Sequence, residues 1–378
     1  MIIGIDGNEA NNPKRVGIGE YAYELIKNLT NTGKEHCKFI IYLKDNPLDD
    51  MPPPSENVSY RVFGPRKMWT QFALPARLYL ESKKPHVFFS PSHYAPRISP
   101  VPTVVSVMDL SYLHFPELFN KSDLMQLKNW TKYSVKNAKK ILTISRSSMS
   151  DIIEEYGVPK ERVAVTYPGI KSVVSITPHI YAMQELTQKY KIPEKYVLYV
   201  GTLQPRKNVT RLIEAFAKLS KSEKIPTNVG LVLVGKKGWM YDEILSAPEK
   251  FGVSRKVHFV DFVTNEDLML LYQHAEVFVL PSLYEGFGLP VLEAMKYDCP
   301  VITSNVSSLP EVGGDAALYV DPESVDDISE KIEKVLTDSK IRKSMIEKGK
   351  EQIKKFSWEK SAKETLSFLE EVGKGTGK

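Results

Sequence analysis

The 378-residue sequence predicts an α/β protein made of two doubly wound domains, and three observations support this. Short apolar segments alternate with longer amphipathic segments along the whole chain, which is typical of parallel sheets covered by helices. Most of the short segments are continuous runs of Val, Ile and Leu, as in strands that are buried on both faces. The chain is also long for a single core, so two domains are expected.

The apolar runs predict the strands of both sheets. In the first half of the chain they are Ile2–Ile5, Phe39–Leu43, Tyr60–Phe63, Val87–Phe89, Thr103–Val107, Ile141–Ile144 and Val163–Val165. In the second half they are Val197–Val200, Gly230–Val234, Val257–Val260, Val277–Leu280, Val301–Thr303 and Leu318–Val320.

The helical segments carry apolar residues on one face. In the first of them, Tyr21, Leu25 and Leu29 recur at every fourth position. Asn208 is predicted to cap the amino terminus of a later helix, because asparagine side chains accept hydrogen bonds from the first turn. The segment Trp358–Val372 predicts a separate helix near the end of the chain.

A segment with several prolines, Pro168–Pro193, breaks the alternation and predicts the linker between the domains. The expected domains are residues 1–175 together with the terminal helix 357–373, and residues 176–356. Ligands of doubly wound sheets bind beyond the carboxyl ends of the strands. If those ends face each other, one cleft between the domains holds one pair of substrates.

The composition indicates a globular protein, because 42% of the residues are hydrophobic and 26% are charged. The formal net charge of +5 is mildly basic. It permits an anionic ligand or an anionic membrane surface and gives no reason to expect a nucleic acid. A lysine-rich solvated surface explains the same charge.

Cys37 and Cys299 lie far apart in the sequence and lack metal-ligand spacing, so we expect neither a disulfide framework nor a metal site. The first residues lack the features of a signal peptide. No apolar stretch approaches the roughly 18 residues of a membrane span. We therefore expect a cytoplasmic protein, for which peripheral contact with the inner membrane face stays open.

The first motif with chemical meaning is Gly17-Ile18-Gly19-Glu20-Tyr21-Ala22, at the start of the first helix. Glycines let a backbone approach an anion, and a helix amino terminus offers free N–H groups. About eleven residues separate Ile5 from Gly17, which disfavours a dinucleotide site because that site needs a tight turn directly after the strand. A loop that closes on phosphate or acceptor and a simple flexible loop both fit.

The second motif, Gly201-Thr202-Leu203-Gln204-Pro205-Arg206-Lys207-Asn208, follows a buried strand and opens a helix. Arg206 offers a planar fork of donors and Lys207 a compact cation. Together with the helix amino terminus they would neutralise a diphosphate. The alternative is a basic, solvated turn.

The third motif contains two carboxylates eight positions apart, Glu285 and Glu293. Glu285 lies in a glycine-containing loop, and Pro290 is suited to the first turn of a helix, which places Glu293 about one turn inside it. Both carboxylates could then face one cleft and accept hydrogen bonds from sugar hydroxyls. The alternative is a capping carboxylate and a surface carboxylate.

These motifs together resemble glycosyltransferase family 4, whose members have the GT-B fold of two Rossmann-like domains facing across a cleft, with a C-terminal helix that returns to the first domain. The third motif is the family's E-x7-E signature, and the second is its Gly-Thr-…-Pro-Arg-Lys-Asn loop. The resemblance runs nearly from end to end, and its other parts are Ser90-Pro91-Ser92, Thr143-Ile144-Ser145, Tyr167-Pro168-Gly169 and the stretch from Ser304-Asn305 to Glu311. The sequence is most similar to mannosyltransferases of polysaccharide and lipid-linked glycan assembly.

The resemblance implies roles for four side chains. Arg206 and Lys207 would bind the donor diphosphate, Glu285 would contact hydroxyls of the transferred sugar, and Glu293 would hold the ribose. The residues that would line the sugar and the phosphates are Gly201, Thr202, Phe287, Gly288 and Leu289 in the second domain and, when the cleft closes, Gly17 and Gly19 in the first.

Two positions depart from the family pattern. Met108 stands where many relatives have histidine before an aspartate, which leaves Asp109 as the candidate that binds the acceptor or the donor sugar. His93 and Ser145 are further candidate substrate contacts in the first domain. Thr202 stands where some relatives have arginine, so Arg206 and Lys207 would be the main phosphate charges.

The resemblance implies retention of anomeric configuration. No close pair of carboxylates for double displacement is evident, so a front-face reaction is expected, in which the leaving diphosphate takes the acceptor proton. No metal and no other cofactor is expected, since fixed cations would replace a metal ion. The pairs Asp49-Asp50 and Asp326-Asp327 are predicted to be solvated surface.

The acceptor side has one distinctive segment, Arg66–Leu80, which is basic and rich in aromatic residues. It is interpreted either as a surface that contacts an anionic membrane and presents a lipid-linked acceptor, or as a core helix with basic flanks.

The sequence thus predicts a hexosyltransferase that moves mannose from GDP-mannose, or a sugar from a UDP-sugar, to a glycan or lipid-linked acceptor. A nucleotide-sugar epimerase and a sugar phosphorylase are less suited to the paired glutamates and the Arg-Lys loop. A non-catalytic module that binds a nucleotide-sugar is the alternative from another class of protein.

Overall fold

The structure, a computed structural model, describes residues 1–170, 182–261 and 263–375. The chain divides into two compact units, one comprising Met1–Gly169 and Phe356–Lys378 and the other Ile170–Lys355. Residues 171–181 of the predicted linker lie outside the described residues.

The first unit contains a parallel sheet of seven strands in the order β3-β2-β1-β4-β5-β6-β7. The strands are β1 (Ile2–Asp6), β2 (Lys38–Leu43), β3 (Val58–Val62), β4 (Val87–Ser90), β5 (Thr103–Ser106), β6 (Lys140–Thr143) and β7 (Val163–Val165). The helices before the second unit are α1 (Ile18–Thr32), α2 (Ala73–Leu80), α3 (Ser111–His114), α4 (Lys121–Asn137) and α5 (Arg146–Tyr156).

The second unit contains a parallel sheet of six strands in the order β10-β9-β8-β11-β12-β13. The strands are β8 (Lys195–Val200), β9 (Val229–Val234), β10 (Val257–Val260), β11 (Val277–Leu280), β12 (Val301–Ser304) and β13 (Ala317–Val320). Its helices are α6 (Ala182–Tyr190), α7 (Val209–Leu219), α8 (Asp242–Lys250), α9 (Asn265–His274), α10 (Leu289–Lys296), α11 (Leu309–Gly313), α12 (Val325–Thr337) and α13 (Ser339–Ile353).

The last helix, α14 (Trp358–Lys374), belongs to the first unit and packs on α1. The Trp358 ring lies 5.9 Å from the ring of Tyr21 on α1. A Cβ at Gly169 would lie only 2.1 Å from the Trp358 nitrogen, so only glycine fits where the two segments touch. The terminal helix expected from the sequence is confirmed.

Every strand predicted from the apolar runs is confirmed, with ends that shift by two residues or fewer. The strands were predictable because most of them are buried on both faces, and continuous apolar runs satisfy both faces at once. Within the described residues, no helix combines the length and the apolar character that crossing a membrane requires.

The strand order reverses between β1 and β4 in the first unit and between β8 and β11 in the second. Doubly wound sheets bind ligands at such a switch point, in the crevice beyond the carboxyl ends of the two strands. A ligand site is therefore expected in the loops that follow β1 and β4, and another in the loops that follow β8 and β11.

Candidate active site

The loops after β8 and β11 meet at the switch point of the second unit. The backbone N–H of Leu283 donates to the carbonyl of Arg206 at 2.9 Å, and a guanidinium nitrogen of Arg206 donates to the carbonyl of Tyr284. This pairing holds the basic loop, which contains Arg206 and Lys207, against the loop that carries Glu285.

Asn208 contributes to this junction in a way that the sequence did not predict. It precedes α7, but its side chain makes no capping hydrogen bond and its backbone is left-handed, with φ 61°. Its amide nitrogen instead donates to the carbonyls of Pro281 at 2.9 Å and Pro322 at 2.6 Å. The capping role predicted for Asn208 is therefore wrong, because two buried carbonyls compete successfully for the amide.

Glu285 is the buried centre of the site, with 6% of its surface exposed. Its Oε1 accepts hydrogen bonds from Lys207 Nζ at 2.5 Å and from Ser282 Oγ at 2.7 Å. Its Oε2 lies 3.4 Å from Arg206 Nη1. Three of the four charged side chains that the resemblance marked out, Arg206, Lys207 and Glu285, thus form one contiguous group.

The charges around Glu285 decide its protonation. Burial alone raises the pKa of this carboxyl, but the positive charges of Lys207 and Arg206 and the hydrogen bonds from Lys207 and Ser282 outweigh burial and hold the pKa below its usual value. Glu285 is therefore ionised at neutral pH. The group carries two positive charges and one negative charge, which leaves a net positive site.

The backbone around Glu285 is fixed by two serines. The N–H of Glu285 donates to Ser307 Oγ at 2.9 Å. Ser308 Oγ contacts the carbonyls of Glu285 and Phe287, both at 2.8 Å. No sequence pattern points to Ser282, Ser307 or Ser308, because their roles arise from partners that the fold brings together.

Gly288 gives the loop its exit into α10. Its backbone has φ 104°, a conformation that favours glycine, and a Cβ there would lie 2.8 Å from the Leu309 side chain. Leu289 begins α10 and Pro290 lies in its first turn, as predicted from the sequence.

Glu293 lies inside α10 with a different set of contacts. Its Oε2 accepts a hydrogen bond from the Tyr272 hydroxyl at 3.1 Å, and the Tyr272 ring stacks on Tyr297 at 6.0 Å. The structure confirms its position on the helix, whereas its role in binding ribose stays a prediction.

Gly201 and Gly235 bring the loops after β8 and β9 into direct contact. Gly235 has φ 147°, and a Cβ there would lie 2.1 Å from the Gly201 carbonyl oxygen. Leu203 also pairs with Lys237 in an isolated bridge. The predicted contact residue Thr202 is exposed at this junction. The sequence did not predict that the loop after β9 contacts the loop after β8, because Gly235 is marked there only as the residue after a strand.

The glycine loop of the first unit follows β1. Gly17 is the N-cap of α1, with φ 51° and open space around the position of a Cβ. Gly19 lies in the first turn, where a Cβ would lie 3.0 Å from the Glu9 carbonyl oxygen. Asp50 is exposed, as predicted from the sequence, and it pairs with Arg15 beside the loop.

His93 and Asp109 lie near each other at the carboxyl ends of β4 and β5. The N–H of Met108 donates to His93 Nε2 at 3.4 Å, and Asp109 Oδ1 accepts from the N–H of Ser111 at 2.9 Å. Burial lowers the pKa of His93, although the Asp109 charge acts in the opposite direction. His93 is therefore neutral at pH 7, and its Nε2 accepts a hydrogen bond from the backbone directly before Asp109.

Ser145 has a structural role that the sequence did not reveal. It is the N-cap of α5, and its hydroxyl accepts the N–H of Ser148 at 3.0 Å. Its proposed contact with substrate stays a prediction.

Asp6 is a buried carboxyl that no sequence motif marks as a site residue. It ends β1 at the switch point of the first unit and is 7% exposed. Burial raises its pKa to about 6, although the side chain and backbone of Asn8 both donate to it. Its raised pKa and its place at the end of β1 make Asp6 a candidate site residue.

Comparison with known proteins identifies the family. The profile of "Glycosyl transferases group 1" matches residues 183–352, and that of "Glycosyltransferase Family 4" matches residues 16–172. The O-antigen chain mannosyltransferase B of Escherichia coli is 32% identical over 382 residues, which cover 93% of this chain and 95% of that protein. The chain belongs to glycosyltransferase family 4 and is a glycosyltransferase.

The match to a second relative covers only part of each chain. The serotype-specific mannosyltransferase WbdA of Escherichia coli is 34% identical over 225 residues, which are 59% of this chain and 27% of that protein. The shared part is a single region of a longer chain.

Solved structures share the fold. Sucrose-phosphate synthase from Thermosynechococcus elongatus has a TM-score of 0.73 at 18% identity and covers 98% of both chains. WaaG, a glycosyltransferase involved in lipopolysaccharide biosynthesis, has a TM-score of 0.71 at 17% identity, over 98% of this chain and 99% of that chain. The fold class predicted from the sequence, two parallel-sheet Rossmann-like domains of the GT-B type, is confirmed.

Proposed function

We propose that this glycosyltransferase transfers a mannosyl unit from GDP-mannose to a glycan or lipid-linked acceptor, with retention of anomeric configuration. The observation that carries the proposal is the buried Glu285 carboxylate, held between Lys207 and Arg206 at the switch point of the second unit. The mannosyltransferase activity named for the two Escherichia coli relatives supports the choice of sugar.

The donor diphosphate would bind the two cations at this site. Lys207 and Arg206 carry two positive charges beside the single negative charge of Glu285, and a diphosphate accepts hydrogen bonds from such cations. Glu285 is an acceptor of hydrogen bonds and would orient the hydroxyls of the transferred sugar. Glu293, one turn into α10, would hold the ribose.

The transfer step would rely on charge and orientation. As the glycosidic bond to the diphosphate breaks, Lys207 and Arg206 stabilise the negative charge that develops on the leaving oxygen. The acceptor hydroxyl attacks from the same face and gives its proton to that oxygen. Glu285 would hold the sugar in position during this step.

Other predicted contacts would complete the site. The backbone of Phe287, Gly288 and Leu289 lies directly after Glu285 and would line the sugar and the phosphates. In the first unit, Asp109 would bind an acceptor or donor hydroxyl.

A binding and turnover experiment tests the proposal. Thermal unfolding of the purified protein is measured with GDP, UDP and ADP and their sugars, with and without EDTA, and nucleotide release is measured with a glycan acceptor. We expect GDP and GDP-mannose to stabilise the protein in EDTA. Glu285→Ala should lose transfer, whereas Glu351→Ala, at an exposed glutamate of the same unit, should keep it.

The outcomes distinguish the alternatives. Stabilisation by UDP alone would replace GDP-mannose by a UDP-sugar, an alternative favoured by a solved GT-B neighbour that was crystallised with UDP and glucose. Binding of a nucleotide-sugar without turnover for any acceptor would indicate a non-catalytic module. Stabilisation that EDTA abolishes would contradict the expectation of metal-independent binding.

We also propose that the first unit contacts the inner membrane face through α2. The inner side of this helix joins the core through Leu74 and Leu78, which are fully buried. The outer side presents Phe72, Tyr79 and Leu80, which are 67%, 52% and 80% exposed. One side of the segment is thus part of the core, and the opposite side is the surface that we propose contacts the membrane.

The charge around α2 favours an anionic bilayer. Residues 61–84 contain six lysines and arginines and one carboxylate, Glu81. Glu81 pairs with Arg77 at 3.0 Å and with Arg61 at 3.5 Å, so the segment keeps a positive charge. Exposed apolar side chains beside basic residues are typical of interfacial helices.

Liposome flotation tests this contact. The protein should float with vesicles that contain phosphatidylglycerol and not with phosphatidylcholine alone. The double variant Phe72→Ser, Leu80→Ser should lose flotation, whereas Met125→Ser, at a residue 66% exposed on α4, should not. Equal flotation of the double variant would refute the assignment to α2.

A further inference from the structure

A group of three potential metal ligands lies away from the switch point of the first unit, at the start of β2. His36 and Cys37 directly precede β2, and Glu370 lies near the end of α14. His36 Nε2 is 2.8 Å from Glu370 Oε1, and Cys37 Sγ is 3.9 Å from the same oxygen. All three donor atoms lie within 4.8 Å of one another.

The backbone holds two of these ligands in place. The N–H groups of His36 and Cys37 both donate to the carbonyl of Gly33, at 3.2 and 2.9 Å. Gly33 is the C-cap of α1, and a Cβ there would lie 3.4 Å from the Cys37 Cβ. The turn between α1 and β2 is therefore compact and fixes the two side chains beside α14.

The third ligand is oriented by a lysine. Lys374 Nζ, one turn further along α14, donates to Glu370 Oε2 at 3.0 Å. That contact leaves Oε1 directed at His36 and Cys37. Carboxylates that bind metals are commonly held in this way by a second hydrogen bond.

The donor set matches the preferences of zinc. Zn²⁺ binds imidazole nitrogen, thiolate sulfur and carboxylate oxygen at about 2.0–2.3 Å in tetrahedral sites, which corresponds to donor separations of roughly 3.3–3.8 Å. The separations of 2.8 and 3.9 Å lie close to that range. His36 is 54% exposed on its side chain, so an ion can reach the group from solvent and keep a water as its fourth ligand.

We propose that His36, Cys37 and Glu370 bind Zn²⁺ and fasten the end of α14 to the turn before β2. The bonds that form are Zn–N, Zn–S and Zn–O. The thiol proton of Cys37 leaves to solvent as the Zn–S bond forms. The Nε2 proton that His36 shares with Glu370 is also released, and the neutral ring then carries its proton on Nδ1. No group changes its oxidation state. This site is independent of the transfer reaction proposed above.

A cobalt titration of the purified full chain, first freed of metal with EDTA, tests the site. One equivalent of Co²⁺ should produce a thiolate-to-cobalt charge-transfer band, and Zn²⁺ should remove the band. Cys37→Ser and Glu370→Gln should abolish it. Cys299→Ser and His274→Gln should keep it, because neither residue belongs to the group.

Thermal unfolding gives a second readout. Zn²⁺ should raise the unfolding midpoint of the wild-type chain and leave that of Glu370→Gln unchanged. Glu370 is 22% exposed on its side chain, and glutamine keeps an acceptor for Lys374, so this variant should fold. Absence of the band in the wild-type chain, or an equal band in Cys37→Ser, would overturn the proposal whatever the result for sugar transfer.

Discussion

Replacing Glu285 with glutamine removes one buried negative charge and keeps the shape of the side chain. Lys207 and Arg206 then lose their counter-charge while each stays 14% exposed. Breaking a buried pair costs about 3–5 kcal/mol, and the amide oxygen still accepts hydrogen bonds, so we expect about 3 kcal/mol. At about 2–4 °C per kcal/mol for a domain of this size, the unfolding midpoint should fall by about 6–12 °C.

A ligand should reverse part of this loss. A diphosphate supplies negative charge to the same two cations, so GDP should raise the unfolding midpoint of Glu285→Gln by more than that of the wild type. Sugar transfer should nevertheless be lost, because the sugar loses its carboxylate contact. Glu293→Gln is the matched control, since the amide keeps an acceptor for Tyr272; its stability should change by less than about 1 kcal/mol.

The pH dependence follows from the lowered pKa of Glu285. The stabilising contribution of the carboxylate is complete above its unfolded pKa of about 4.3 and is lost as pH falls through the lower folded pKa. The difference between wild type and Glu285→Gln should therefore be constant above about pH 5 and shrink in more acidic solution. Urea unfolding across this range measures it. A loss of less than 1 kcal/mol at pH 7, with no extra response to GDP, would refute the reasoning.

Three further substitutions test other parts of the structure. Asp6→Asn should stabilise the protein by about 2–3 kcal/mol at pH 7 and have no effect near pH 4. The folded protein holds the pKa of Asp6 at about 6, so the wild-type chain loses stability as pH rises from about 4 to 6 and the carboxyl ionises. Urea unfolding at both pH values measures the difference. Ser145→Ala should lower stability by about 1 kcal/mol through loss of the cap on Ser148, and an unchanged KM for the acceptor would leave Ser145 with that role alone. Gly235→Ala should cost about 3 kcal/mol or more, since its Cβ would lie 2.1 Å from the Gly201 oxygen; a fully stable variant would contradict the close approach.

Much of the fold was predictable because strands that are buried on both faces appear in the sequence as continuous apolar runs. A strand such as β11, covered on both faces, requires four consecutive apolar residues, and Val277–Leu280 provides them. Candidate site residues can be named from the sequence where one short motif contains them, as with Arg206 and Lys207, or where their spacing is fixed, as with Glu285 and Glu293. The structure brings Arg206, Lys207 and Glu285 together, and the roles of all four stay predictions.

The partners of those residues were not predictable, because they come from separate segments. Ser307 lies 22 positions after Glu285 and contacts its backbone only because β11 and β12 are neighbours in the sheet. Glu370 lies more than 300 positions after Cys37, so a search for metal-ligand spacing could not pair them. The order of the strands in the sheet decides which loops are neighbours, and that order cannot be derived from the sequence alone.

Asn208 shows why a local rule fails at this kind of site. Asparagine before a helix predicts a cap, yet its amide ties the carbonyls that follow β11 and β13, those of Pro281 and Pro322. Arg211 donates to the remaining oxygen of the amide at 2.8 Å, so the side chain is fully engaged. Lys207 is the adjacent residue, so these three hydrogen bonds of Asn208 help to set where the Lys207 ammonium lies relative to Glu285. The left-handed backbone conformation of Asn208 is unfavourable in itself, and it places the side chain where these hydrogen bonds hold the site together.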